Sequence, residues 1–144
     1  MKKIFFYISI ILLFFSLNKS FAGALYGKGE LKMTDAAVNA FINYIKINNK
    51  IVNGKRAKPD SFIISSNGDW TWYWWCAHNE CWTNDKPTIE RCQRETGVVC
   101  GRFAKRRTIF WDNGINTKGN RARFKSKMSN QQIRDELKLM GFID

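Results

Sequence analysis

Two hydrophobic periods alternate along this chain. After Thr34, the apolar residues Val38, Phe41, Ile42 and Ile45 recur at helical spacing, so residues 35–48 are predicted to form an amphipathic helix. Thr34 is its expected N-cap, and Asp35 falls in the first turn, where the helix field favours negative charge. Asn48-Asn49 are expected to end it. Residues 27–33 read as a short extended lead-in and residues 50–59 as a polar, basic loop.

The period then drops to two. Ser61–Ser65 and Trp70–Trp75 flank Asn67-Gly68, a pair that favours a two-residue type I′ hairpin turn. That turn sets Ser65 opposite Trp70, Ile64 opposite Thr71, Ile63 opposite Trp72 and Phe62 opposite Tyr73. One face would carry Phe62, Ile64, Tyr73 and Trp75, the other Ile63, Trp70, Trp72 and Trp74. Both faces are apolar, so the tryptophans are either buried against helices or left as an aromatic platform.

Residues 87–95 read as a second helix, with Asp85 or Lys86 at its start, Pro87 in its first turn and Gly97 just past its end. Residues 98–104 and 108–111 read as paired strands around a Lys105-Arg106 turn. A Gly/Asn-rich loop, 112–120, and an irregular or extended basic stretch, 121–127, follow. Ser129 and Gln132 fit a capping box ahead of Ile133, Leu137 and Met140, with Gly141 as the cap and Phe142 folding back onto the helix. The fold class is therefore α+β: an antiparallel sheet of about four strands, two packed helices and a short C-terminal helix.

The N-terminus changes the setting. Lys2 and Lys3 precede an apolar run, Ile4 to Phe15, and Ser20-Phe21-Ala22 suits a signal peptidase. Residues 1–22 are read as a secretory leader, 23–127 as the main domain and 128–144 as the C-terminal helix. No other stretch is apolar enough to span a bilayer. The protein is expected in the periplasm or outside the cell, where the four cysteines, Cys76, Cys81, Cys92 and Cys100, would be oxidised. Four cysteines permit three pairings. The position of Cys92 one turn before Gly97, with Cys100 just after the reversal, favours Cys92–Cys100 together with Cys76–Cys81. A zinc site is the rival, although its ligand pairs are usually more closely spaced.

Charge is segregated. The chain has a formal net charge of +12, and residues 102–134 hold ten of its 24 Lys and Arg against Asp112 alone. On an exported protein such a segment points to anionic lipid headgroups or cell-wall polymers rather than nucleic acid, the alternative being a solvated basic face. Catalytic signatures are sparse. His78 is the single histidine, no nucleophile elbow or phosphate loop is present, and Asp60, Asp69, Glu80 and Asp85 suit turns and caps better than a carboxylate pair.

The residues Phe62-Ile63-Ile64-Ser65, Asn67-Gly68, Tyr73, Cys76, Cys81, Cys92, Gly97, Cys100, Phe103-Ala104, Arg107, Ile109 and Trp111 form a recognisable series. Over residues 60–111 the chain resembles a small exported four-cysteine domain of Proteobacteria, in which a Phe-Ala-Ile-Ser-x-x-Gly strand precedes the cysteines and a Phe-Ala-x-x-Arg-x-Ile-x-Trp hairpin follows. This chain departs from that pattern at Ile63 and in its tryptophan density. The resemblance implies export, disulfides and an α+β fold, and supplies no catalytic residues. The expected function is non-enzymatic, without cofactor: binding of an anionic envelope component. Lys105, Arg106, Arg107, Arg121, Arg123, Lys125 and Lys127 would attract it, and Trp70, Trp72 and Trp74 would add contact area. A protein-interaction module docking through the C-terminal helix and a small polysaccharide hydrolase are the alternatives.

Overall fold

The computed structural model describes residues 25–47, 51–52, 54–76 and 84–144. The predicted leader, Asn48-Asn49, His78, Glu80 and Cys81 lie outside the described residues. In chain order the elements are α1 (Asp35–Ile45), β1 (Ile51–Val52), β2 (Lys55–Arg56), β3 (Lys58–Ser65), β4 (Thr71–Cys76), α2 (Lys86–Thr96), β5 (Cys100–Lys105), β6 (Thr108–Ile109) and α3 (Asn130–Leu139). The main sheet is antiparallel, in the order β4-β3-β5-β6, and β1 and β2 pair as a separate ribbon. The α+β fold is thus as expected. The stretch 50–59 differs from its reading as a loop, since Lys58, Pro59 and Asp60 extend β3 and the ribbon precedes them.

Period-two patterning sets the hairpin register. Ile64 faces Thr71, Ile63 faces Trp72 and Phe62 faces Tyr73. The turn itself is not type I′. Only Gly68 has a positive φ, +75°, and Asn67 does not; the Gly68 N–H donates to the Ser65 carbonyl at 2.8 Å. Ser65 still meets Trp70, because its N–H donates to the Trp70 carbonyl and its Oγ accepts from the Trp70 N–H, both at 3.0 Å. The turn's outer atoms serve the tertiary structure. The Gly68 carbonyl accepts from the N–H and the Oγ1 of Thr34, the α1 N-cap, at 3.0 and 3.1 Å. The Ser66 N–H donates to the Val99 carbonyl at 2.8 Å.

The two sheet faces are buried unequally. The core face carries Phe62, Ile64, Phe103 and Ala104, packed with residues of α1 and α3. Phe41 is its hub, with Phe62, Phe103 and Phe124 set edge-on at 5.2–5.3 Å between ring centres, a geometry that favours aromatic pairs beyond their area. Trp111 is fully buried there and donates to the Gly29 carbonyl at 2.9 Å. The other face, under α2, holds a small cluster of Ile63, Ile89, Cys92 and Cys100 with Trp70 against it. The 128–144 segment belongs to the same core: Ile133, Leu137, Met140 and Phe142 are all buried in it. Its capping box forms as read. Gly141 and Phe142 then close a Schellman motif, through bonds from Gly141 N–H to Lys138 and from Phe142 N–H to Leu137, each 2.9 Å.

Cys92 and Cys100 are bonded, with Cα atoms 6.1 Å apart, and pin α2 to β5. Cys76 is also oxidised, with no free cysteine among the described residues; the expected pairing with Cys81 lies outside them. A Cys92→Ser/Cys100→Ser variant is expected to lose about 2–3 kcal/mol, the chain-entropy value for so short a loop. Denaturant unfolding of the oxidised protein beside the variant measures it, and coincident midpoints would refute a stabilising bridge.

Candidate anion-binding edge

The cations of residues 102–127 are sorted by local geometry into two groups. One group is turned inward. Arg102 is 7% exposed; its Nε donates to Asp85 and, at 3.2 Å, to Ser61 Oγ. Burial works against the Arg102 charge, but the hydrogen bond and charge of Asp85 outweigh it and hold its pKa above the ordinary value. Lys105 pairs with Asp60 at 2.9 Å. Arg107 Nε donates to the Ile45 carbonyl at 3.1 Å, capping the C-terminus of α1. Burial lowers the Arg107 pKa and raises that of the neighbouring Tyr44 phenol, with Asp60 adding to the rise. Lys105 and Arg107, both counted from sequence as binding residues, are therefore occupied within the fold.

The second group lies on one edge of the sheet. Thr108 bridges Arg123 in antiparallel sense, with Ile109 N–H donating to Ala122 at 3.0 Å and Phe124 N–H to Arg107 at 2.8 Å. Residues 121–125 thus run as an extended rib beside β6. Ala122 and Phe124 point into the core, while Arg123 and Lys125 are exposed. Continuing the register sets Lys125 opposite Arg106, the turn residue with φ +53°. The turn is therefore Arg106-Arg107, one residue later than read, because Lys105 still pairs with Thr108. Arg121 lies over the Phe110 ring at 4.2 Å, Phe110 stacks on Tyr26 at 5.0 Å, and Arg102 lies over the Tyr26 ring at 5.0 Å. None of the ion pairs among the described residues uses Arg106, Arg121, Arg123, Lys125 or Lys127. Beyond the rib, Lys46 Nζ donates to Asn130 at the start of α3, whose first turn carries no acidic side chain.

The tryptophans stand elsewhere. β4 is the opposite edge of the sheet, and β3, β5 and β6 separate it from the rib, a span of about 19 Å at the usual strand spacing. Trp70 is half-buried, with its Nε1 donating to Glu95 at 2.7 Å. Trp72 is 41% exposed, meets Trp74 edge-on at 6.0 Å and is covered by the Arg91 guanidinium at 5.5 Å. Trp75, expected on the same face as Phe62, Ile64 and Tyr73, is 42% exposed. A β-bulge between Pro59 and Ser61 shifts the register beside it. The aromatic and basic halves of the expected site are therefore not contiguous. Of the carboxylates considered, Asp60 and Asp85 each hold a cation, and Asp69 is exposed at the turn.

Among the described residues, no cluster of three His, Cys, Asp or Glu side chains is arranged to hold a metal ion. No helix among them is long and apolar enough to cross a membrane. Comparisons with protein-family models, curated proteins and solved structures give no match.

Proposed function

We propose that this is an exported, non-enzymatic protein that binds an anionic component of the cell envelope through the rib 121–125, Lys127 and the adjoining Arg106. The observation that carries the reading is the alternation along the rib. Ala122 and Phe124 anchor it in the core, while Arg123 and Lys125 are exposed, and none of its cations has a carboxylate partner among the described residues. A charged edge also discourages strand-to-strand aggregation, which is the bland explanation of the same pattern. The number and one-sidedness of the cations go beyond what that purpose needs, because the uncharged β4 edge has no such guard. The tryptophans have no part in this reading, since they sit across the sheet.

Each Lys or Arg near an anionic membrane surface contributes about 1 kcal/mol of attraction, falling with salt. Substituting Arg121→Gln, Arg123→Gln and Lys125→Gln together is therefore expected to weaken binding to anionic vesicles about a hundredfold. Trp72→Ala is expected to leave binding unchanged. Vesicle co-sedimentation at rising ionic strength measures both, and a wild-type protein that fails to bind even at low salt would end the proposal.

A further inference from the structure

Between the rib and the start of α3 lies a groove of about 440 Å³ lined by Arg123, Lys125, Lys127, Met128 and Gln132. We propose that this groove is a phosphoryl-binding site, taking a phosphate monoester group. The inference rests on the anion-binding reading above and names its ligand chemistry.

The groove favours phosphate over carboxylate by its charge. Its cations, Arg123, Lys125 and Lys127, are all exposed, and none enters an ion pair among the described residues. Three positive charges around one recess suit a compact anion carrying nearly two charges, which a phosphate monoester is at neutral pH and a carboxylate is not. Arg123 brings a planar fork that meets two phosphate oxygens at once, and the two lysines act as point charges beside it.

The polar wall is also free to donate. Gln132 spends its Oε1 on the Ser129 N–H at 2.8 Å in the capping box, which fixes the amide and leaves its Nε2 hydrogens without a partner among the described residues. The side-chain groups left free around the recess, the three cations and the Gln132 Nε2, are therefore donors, matching the three acceptor oxygens of a phosphoryl group. The Met128 thioether on the groove wall accepts from the Lys125 N–H at 3.2 Å. The chain reverses there, with the Met128 N–H donating to the Lys125 carbonyl at 3.1 Å, and Lys127 lines the same groove as Lys125.

The test compares vesicles containing phosphatidic acid, a phosphomonoester lipid, with vesicles containing oleate at the same surface charge. Wild-type protein is expected to bind the phosphatidic acid surface at least tenfold more tightly, and millimolar pyrophosphate is expected to displace it. Lys127→Gln removes one groove cation outside the triple variant above and is expected to bring the two surfaces within about twofold. Its thermal unfolding should match wild type, because Lys127 enters no ion pair among the described residues. Equal binding of both surfaces by the wild type, or vesicle binding that pyrophosphate leaves intact, would overturn the phosphoryl site while sparing the broader proposal. Binding to neither surface would overturn both. Displacement by pyrophosphate from oleate vesicles as well would place the ligand among free phosphates rather than lipid headgroups, and would support the groove as the site.

Discussion

Asp85→Ala is expected to destabilise the domain by about 3–5 kcal/mol, because it strands a buried arginine. Asp85 is 1% exposed and Arg102 7%. Their ion pair is shared with Ser61, whose hydroxyl donates to Asp85 Oδ2 at 2.5 Å. Removing the carboxylate leaves the guanidinium with Ser61 and the Tyr26 ring, neither of which neutralises its charge. The loss is a large share of the whole stability of a modest domain, about 5–15 kcal/mol. It also loosens the start of α2, which Asp85 joins to the sheet. The net worth of the pair is smaller than the cost of breaking it. Asp85 Oδ1 is buried without a hydrogen-bond partner, so part of the attraction is spent on desolvation. Replacing both partners, as Asp85→Leu/Arg102→Met, is accordingly expected to recover most of the stability lost by the single variant. Denaturant titration of the three variants decides the matter. A single variant within 1 kcal/mol of wild type, in a protein that keeps its native spectrum, would show that the arginine finds another partner or reaches water.

Gly68→Ala is the second large effect, at least about 3 kcal/mol from combining a left-handed backbone with overpacking. Gly68 has φ +75°, and a Cβ built there would lie 1.7 Å from the Lys32 carbonyl oxygen and 2.6 Å from its carbon. The obstruction is backbone, so no side-chain rotation relieves it. Moving the turn away would break both hydrogen bonds from Thr34 and release the N-terminus of α1. Gly54→Ala serves as the control. Gly54 has φ +73° but nothing within 4 Å of the added methyl, so that variant reports the cost of backbone conformation alone, about 1 kcal/mol. Melting temperatures measured side by side separate the two contributions. Equal shifts for both variants would mean that the close approach to Lys32 carries no energy.

These two sites show how far the sequence could be read. Asp85 was legible as the residue ahead of α2, and it holds that position, with φ −76° and ψ −14°. Its side chain makes no capping bond, however. A cap is a local interaction, whereas Arg102 is 17 residues away and reaches Asp85 only because β5 lies beneath α2. The Asn-Gly pair likewise marked the hairpin and its register, but the turn type followed from bonds to Thr34 and Val99, residues far along the chain. The rib 121–125 was legible only as irregular or extended. Ala122 and Phe124 alternate with Arg121, Arg123 and Lys125, a period-two signal that marks an edge strand and that the density of charge obscured.

The expected binding surface divides in the same way. Arg106, Arg121, Arg123 and Lys125 lie along the basic edge, and Lys127 lines the groove beside it. Lys105 and Arg107 belong to the same run in sequence, yet they are committed to Asp60 and to the end of α1. Composition counts cations; it does not say which of them already has a partner. Nor does it reveal that Trp70, Trp72 and Trp74 stand across the sheet, because strand order is not written in any single strand.

By itself, then, the amino-acid sequence determined what neighbouring residues decide together. The helix periods, the Ser129–Gln132 capping box, the cap at Gly141 with Phe142 folded back and the hairpin register all join residues close in the chain, where a few side chains and one turn suffice; the same proximity favoured Cys92–Cys100 among three possible pairings without fixing it. Tertiary structure alone decided the turn geometry at Gly68, the Asp85–Arg102 pair, the exposure of Trp72 and Trp75, and the separation of cations into bound and free. Each of those joins residues that only the packing of distant elements brings within a few ångströms, and the energy of burying a charge or a ring depends on what that packing places around it.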